Sequence, residues 1–165
     1  MYRTISDFRE SWEEESQGTL KTFRALTVES LNQIVRPGGR TLGRLAWHIT
    51  LSMRDMMDEA KLPMAGPHGE DPQPSLAEII TSYDTTSKTM MNEVAKQWTD
   101  AMLLEKIPMY GEQWARGRTL AAVVLHQAHH RGQMGVLMRQ AGLTVPGIYG
   151  PAYEEWAAYN MPAQP

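Results

Sequence analysis

Three of the five histidines in this 165-residue chain are His126, His129 and His130. Successive residues of an α-helix advance by about 100°, so His126 and His130 lie about 40° apart on one face. Two imidazoles one turn apart can bind a single metal ion without bending the helix. His129 lies about 60° to the other side of His126. The spacing therefore favours His126 and His130 as a ligand pair and leaves His129 as a flanking or supporting residue.

A metal site with three or more protein ligands needs at least one ligand from another part of the chain. His48 is the main candidate, because it follows Trp47 at the edge of an apolar helical stripe, whereas His68 lies in a Pro/Gly-rich loop that we expect to be exposed. Three neutral imidazoles without a thiolate suit zinc, nickel, copper or ferrous iron better than calcium or magnesium. Three protein ligands also leave coordination positions open, which is typical of catalytic metal sites. The alternative is that His48 is a hydrogen-bonded core residue.

Several other chemistries are disfavoured by the sequence. The His-x-x-x-His spacing also occurs in zinc proteases, but position 127 is Gln, where those enzymes carry their general-base Glu. The chain has no Glu-x-x-His pair for a di-iron site and no cysteine for disulfides or iron–sulfur clusters. The methionines stand at helical spacing, so we interpret them as core residues rather than haem ligands. Asp55 and Glu59 follow His48 near its helical face and could serve as bases if the fold brings them to the metal.

The composition indicates a globular protein. Hydrophobic residues make up 42% and charged residues 21%, and the formal net charge is -3, which disfavours nucleic-acid binding. Acidic residues near the N-terminus replace the apolar core of a signal peptide, and no run is long enough for a membrane helix. The sequence therefore predicts a cytoplasmic protein that binds neither membrane nor nucleic acid.

Hydrophobic periodicity predicts four long helices and no strand. Each has a cap residue at its start, and the third carries the Ser75–Glu78 capping-box pattern. The expected helices run from Ser6 or Asp7 to about Leu26, from Thr41 to about Ala60, from Ser75 to about Trp98, and from Thr119 to about Ala141, where Gly142 ends the last one.

These elements predict an all-α fold, a four-helix bundle occupying residues 1–165 as a single domain. The connections are long for a simple up-and-down bundle, so at least one is expected to cross over. The tail contains a short turn around Trp156. The fourth helix carries apolar residues on faces away from its histidines, which we expect to form an exposed patch for a homodimer; they are Leu120, Val124, Leu125 and Val136. The alternative is that the long loops and the tail around Trp156 cover these faces within one chain.

Two segments carry a resemblance to a known family. Residues 41–49, TLGRLAWHI, followed by residues 126–133, HQAHHRGQ, resemble the DinB/YfiT-like family of metalloenzymes, and residues 145–151, VPGIYGP, resemble a subset of it. The resemblance covers most of the chain in order. It implies a four-helix bundle with His48, His126 and His130 around a divalent metal, often zinc or nickel, and often a homodimer. His129 is not part of the implied triad.

The resemblance also implies a function. Some relatives are transferases or isomerases that depend on a low-molecular-weight thiol, so we expect a metal-dependent enzyme of transferase, isomerase or hydrolase type acting on a small molecule. Arg131 and Gln133 are candidates to orient a substrate or to hydrogen-bond a ligand histidine, although both could also be packing residues. The rival interpretation is a non-catalytic binding or interaction module in which the metal only joins two helices.

Overall fold

The computed structural model describes residues 1–69 and 72–163, and most of them are helical. The elements are α1 (Ile5–Arg24), α2 (Leu42–Glu59), α3 (Leu76–Gln97) and α4 (Arg116–Gln140), with short 3-10 helices at Glu29–Asn32, Ala101–Leu104 and Tyr153–Tyr159 and two strands, β1 (Lys106–Met109) and β2 (Glu112–Ala115). The predicted dominance of helices is confirmed. The prediction that the chain has no strand is wrong.

The helix starts follow from side-chain caps at three of the four long helices. The Thr41 hydroxyl accepts from the backbone N–H of Arg44, and Ser75 forms a complete capping box with Glu78, as predicted. The cap of α1 is Thr4 rather than Ser6 or Asp7. The predicted start of α4 at Thr119 is also wrong: the helix begins at Arg116, directly after β2, and Thr119 is fully buried within it.

The predicted apolar stripes form the core. Side chains of α1 and α2 that repeat at helical spacing are all buried, and they are Phe8, Trp12, Leu20, Phe23, Leu42, Leu45, Ile49, Met53 and Met56. Gly18 has a packing role in α1, because a Cβ there would lie 2.8 Å from the Ile148 side chain. The C-terminal segment therefore packs closely against α1.

The unpredicted strands form one antiparallel hairpin. Lys106 pairs with Ala115 and Met109 with Glu112, so a two-residue loop connects the strands. The loop residues Tyr110 and Gly111 have φ angles of 50° and 82°, as a type I′ turn requires. Tyr-Gly lacks the usual Asn or Asp of this turn, and Pro108 lies inside β1, so the residue pattern indicates a hairpin only weakly.

The main helix contacts place α2 against both α3 and α4, and α1 against the same two helices. The α1–α2 and α3–α4 connections therefore join helices that are not principal neighbours, which agrees with the expected crossover connections. Since α2 lies against α4, His48 can approach the histidines of α4.

The outer face of α4 is less exposed than predicted. Leu120 is fully buried and Val124 is half-buried, because α4 also packs against the Ala101–Leu104 helix and β2. Leu125 and Val136 are 68% and 56% exposed, as expected. Among the described residues, no helix combines the length and apolar character needed to cross a membrane.

Candidate metal centre

The structure brings His48 of α2 together with His126 and His130 of α4. Each contributes a ring nitrogen, and these three atoms all lie within 4.8 Å of one another. The His48 ring centroid lies 5.1 Å from that of His126 and 4.7 Å from that of His130. His130 is buried, and the other two are half-buried. The cluster could hold one metal ion between two helices.

The α4 pair has the spacing that a metal site needs. The Nε2 atoms of His126 and His130 lie 3.1 Å apart. Two nitrogens bound to one tetrahedral zinc ion would lie about 3.3 Å apart, since each Zn–N bond is about 2.0–2.1 Å. Three imidazoles without a thiolate or carboxylate also form a donor set suited to zinc or nickel. The residues present therefore fit a divalent transition metal.

Gln133 orients one of these rings. Its Oε1 lies 2.8 Å from Nδ1 of His130, so it can accept a hydrogen bond from Nδ1–H in the tautomer that leaves Nε2 with a free lone pair. The Gln133 Nε2 lies 3.1 Å from Nε2 of the exposed His129. His129 is thus connected to the cluster through Gln133. Nδ1 of His126 is buried and has no hydrogen-bond partner within the described residues.

Burial keeps the cluster neutral. It lowers the pKa of His48 and of His126 to about 4, with smaller contributions from Arg40 and from neighbouring histidines. Burial also lowers the pKa of His130, although the hydrogen bond with Gln133 opposes this shift. Metal binding requires neutral imidazole, so the site is prepared for a cation at neutral pH.

A cavity of about 370 Å³ opens on one side of the cluster, and we call it the hairpin-side cavity. Its wall contains His48, His126 and Asp55, together with Tyr110 and Trp114 from the hairpin. Asp55 Oδ1 accepts a 3.2 Å hydrogen bond from the backbone N–H of Gly69. A cavity of this size beside two of the histidines could admit a small molecule to the cluster. Burial raises the pKa of Tyr110 in its wall, and the charges of Glu59 and Asp55 raise it further.

Arg131 faces away from this chemistry. Its guanidinium forms an ion pair with Glu15 and hydrogen bonds with Thr19 and the hydroxyl of Tyr149, and its side chain is 4% exposed. These contacts join α4 to α1 and the C-terminal segment. A packing role for Arg131, rather than substrate or ligand contact, accounts for these contacts.

Gln127 occupies the position of the protease general base, but its side chain is fully buried in a polar network. Its Oε1 accepts hydrogen bonds of 2.7 Å from the Tyr83 hydroxyl and 3.0 Å from Thr19. It therefore joins α4 to α1 and α3. His68, the other candidate from the sequence, is exposed in its loop.

Sequence reasoning missed Tyr110 and Trp114. Their approach to His48 depends on the hairpin, and hairpin packing is a long-range property. The alternation of buried Ile107 and Met109 with exposed residues in β1 was the available signal.

Comparisons with known proteins show the family of this chain. A model of the DinB family matches residues 1–164. The chain is 44% identical over 164 residues to the uncharacterized protein YrdA of Bacillus subtilis strain 168, covering 99% of this chain and 98% of that protein.

Two solved structures share the fold. A DinB-like protein from Bacillus cereus ATCC 10987 superposes with a TM-score of 0.86 at 40% identity, covering 90% of this chain and all of the other. The DinB-like protein YjoA from Bacillus subtilis has a TM-score of 0.68 at 13% identity, covering 88% of this chain and 99% of the other, so it shows the fold alone. With its whole-chain family match and its 44% identical relative, the chain belongs to the DinB family.

Proposed function

We propose that this protein is a metal-dependent enzyme whose ion is held by His48, His126 and His130. The observation that supports the proposal most directly is the convergence of three histidine nitrogens within 4.8 Å. Two of these histidines also line the hairpin-side cavity, so a small molecule could reach the centre. Zinc or nickel is the proposed ion, on the basis of the all-imidazole donor set.

The proposed reaction class is a thiol-dependent transfer or isomerisation, or a hydrolysis, of a small molecule. A bound divalent ion would supply a Lewis acid, which makes a nucleophile from water or a thiol at neutral pH or polarises a carbonyl group. Asp55 is the candidate proton acceptor, because its carboxylate lies in the wall of the same cavity as His48 and His126. Tyr110 and Trp114 supply an aromatic wall against which an apolar part of the substrate can pack.

The alternative function is a non-catalytic bundle in which the ion joins α2 to α4. The placement of His48 on α2 and of the other two ligands on α4 supports this alternative as well. Water exchange distinguishes the two functions. A catalytic ion keeps a coordination position open to solvent, whereas a structural ion has a closed ligand shell.

The first test is metal analysis of the protein purified without a histidine tag. We expect about one divalent transition metal ion per chain. His126→Ala should abolish binding, and the matched variant His129→Ala should largely preserve it. Equal loss from both variants, or loss from neither, would contradict the ligand assignment.

The second test is a screen of small thiols with electrophilic substrates. We expect turnover that requires metal and that falls in Asp55→Asn while the metal content stays unchanged. A fully loaded protein whose ion exchanges no water and which shows no turnover would support the structural alternative.

We also propose that the chain forms one four-helix bundle and resides in the cytoplasm. Contacts of α1 and α2 with both α3 and α4 support a four-helix bundle forming one domain. The absence of cysteine is compatible with the cytoplasmic location that we propose. The proposed homodimer would use the exposed face of α4.

A further inference from the structure

A second cavity adjoins the histidine cluster on the side of Gln133, and we call it the arginine cavity. It has a volume of about 420 Å³, which is within the range of small-molecule sites. Its polar wall contains Arg36, Arg40 and Gln133, and its apolar wall includes Val35, Leu45 and Val136. A ligand with one anionic group and an apolar body would match this division.

A tight turn positions the two arginines. The backbone N–H of Gly39 donates a 3.0 Å hydrogen bond to the carbonyl of Arg36, which closes a four-residue turn. Pro37 occupies the second position, and Gly38 occupies the third with φ of 70°, the pattern of a type II turn. Proline fixes its own φ, so this turn holds the backbones of Arg36 and Gly39 together, and Arg40 follows directly.

Neither arginine has a carboxylate partner among the residues that the structure describes. Within the described residues the guanidinium of Arg36 donates one hydrogen bond, of 3.4 Å, to the Pro37 carbonyl, and both arginines are exposed. By contrast, most arginines of α2 and α4 form an ion pair with a carboxylate of the described residues; they are Arg54, Arg116, Arg118, Arg131 and Arg139. The arginine cavity therefore presents two uncompensated guanidinium groups.

The cavity adjoins the proposed metal centre through one shared residue. Gln133 lines it and also lies 2.8 Å from Nδ1 of His130. A ligand anchored at the arginines would thus lie beside the histidines.

We propose that the arginine cavity is the anion-binding subsite of the substrate or thiol cosubstrate, with Arg36 and Arg40 binding a carboxylate or phosphate and the apolar wall packing the adjoining carbon chain. Guanidinium groups bind both oxyanions through paired N–H donors. The proposal rests on the proposed function for the role of the ligand, but anion binding itself can be tested without metal.

The first experiment measures binding of simple anions to the metal-free protein by calorimetry or ligand-observed NMR. The probes are 4-phenylbutyrate, 2-phenylethyl phosphate and the uncharged 4-phenylbutyramide. We expect one or both anions to bind about tenfold or more tightly than the amide, as charge-assisted hydrogen bonds predict. The preferred anion identifies the chemical group that the subsite recognises. Equal affinity for the amide and both anions would overturn the proposal.

Matched variants locate the site. Arg36→Gln and Arg40→Gln should each remove most of the preference for the anion, and Arg40→Lys should retain part of it. Arg24→Gln changes an exposed arginine at the end of α1 and should leave the preference unchanged. If Arg24→Gln reduces the preference as much as Arg40→Gln, the effect is one of net charge and the proposal is wrong.

The second experiment connects the subsite to the metal. The cobalt-substituted protein is titrated with a mercaptocarboxylate and with a mercaptoalcohol of the same length, and the sulfur-to-cobalt absorption band is followed. We expect the band to form at about tenfold lower concentration of the mercaptocarboxylate, and this advantage to disappear in Arg40→Gln. Anion binding in the first experiment without any band in the second would leave the subsite intact and overturn the thiol-dependent part of the proposed function.

Discussion

The Nε2 atoms of His126 and His130 face each other at 3.1 Å across one turn of α4, and among the described residues only the His130 ring has a hydrogen-bond partner at its other nitrogen. Gln133 supplies that hydrogen bond. The orientation of the α4 pair therefore depends on one exposed amide side chain.

This dependence predicts that Gln133→Ala weakens metal binding although Gln133 is not a ligand. Removal of a group that hydrogen-bonds a ligand histidine typically lowers metal affinity about 10–100-fold. We expect a decrease within this range when the zinc dissociation constant is measured by competition with a chelator. Gln140→Ala, which changes another exposed glutamine of α4, is the control. An unchanged affinity in Gln133→Ala would show that the ring needs no such support.

A bound ion should also stabilise the fold, because its ligands come from α2 and α4. A ligand that binds only the folded state raises the free energy of unfolding by about 2.7 kcal/mol at a hundredfold excess over its dissociation constant. We expect thermal unfolding slightly above pH 7 to show a higher midpoint with zinc than with chelator. His48→Ala should remove the difference, since it deletes the only ligand from α2. Identical midpoints with metal and with chelator in the unaltered protein would contradict a bridge between the helices.

Histidine spacing and helical periodicity predicted the core of the candidate site but not its surroundings. The His126/His130 pair follows from the geometry of one helix, and the position of His48 follows from an apolar stripe that must face a neighbour. Tyr110 and Trp114 depend on a hairpin whose turn residues are unusual. Leu120 was wrongly expected to be exposed, because periodicity shows which residues share a face and not how many faces other elements cover.

Burial of His48 and His126 changes the expected pH dependence of stability. The ordinary histidine pKa predicts that protons compete with metal below about pH 6.5. The folded metal-free protein instead holds the pKa of His48 and His126 at about 4. Between these values the unfolded chain binds more protons than the folded chain, so the free energy of unfolding rises with pH from about 4 to 6.5 and then levels off.

This pH dependence of the free energy of unfolding is measured on the metal-free protein by denaturant unfolding at several pH values. We expect the pH dependence between 4 and 6.5 to be shallower in His48→Asn and in His126→Asn than in the unaltered protein. Because carboxylates titrate in the same range, the difference between protein and variant isolates the histidine contribution. A difference that stays constant across the range would show that these histidines do not have lowered pKa values.

The exposed face of α4 predicts a homodimer. Leu125 and Val136 remain 68% and 56% exposed, and a Cβ built at Gly132 between them would meet no atom within 4 Å. Two copies of α4 could therefore pack closely around Gly132 and bury both apolar side chains in a two-fold interface.

Sedimentation equilibrium at micromolar concentration should give a mass near twice the chain mass of 18.6 kDa. The double substitution Leu125→Glu and Val136→Glu should give the monomer mass, because four carboxylates would meet at the interface. Leu104→Glu changes a leucine of similar exposure, 59%, on a different element and should leave the dimer intact. A mass near 18.6 kDa for the unaltered protein across the concentration range would refute the dimer.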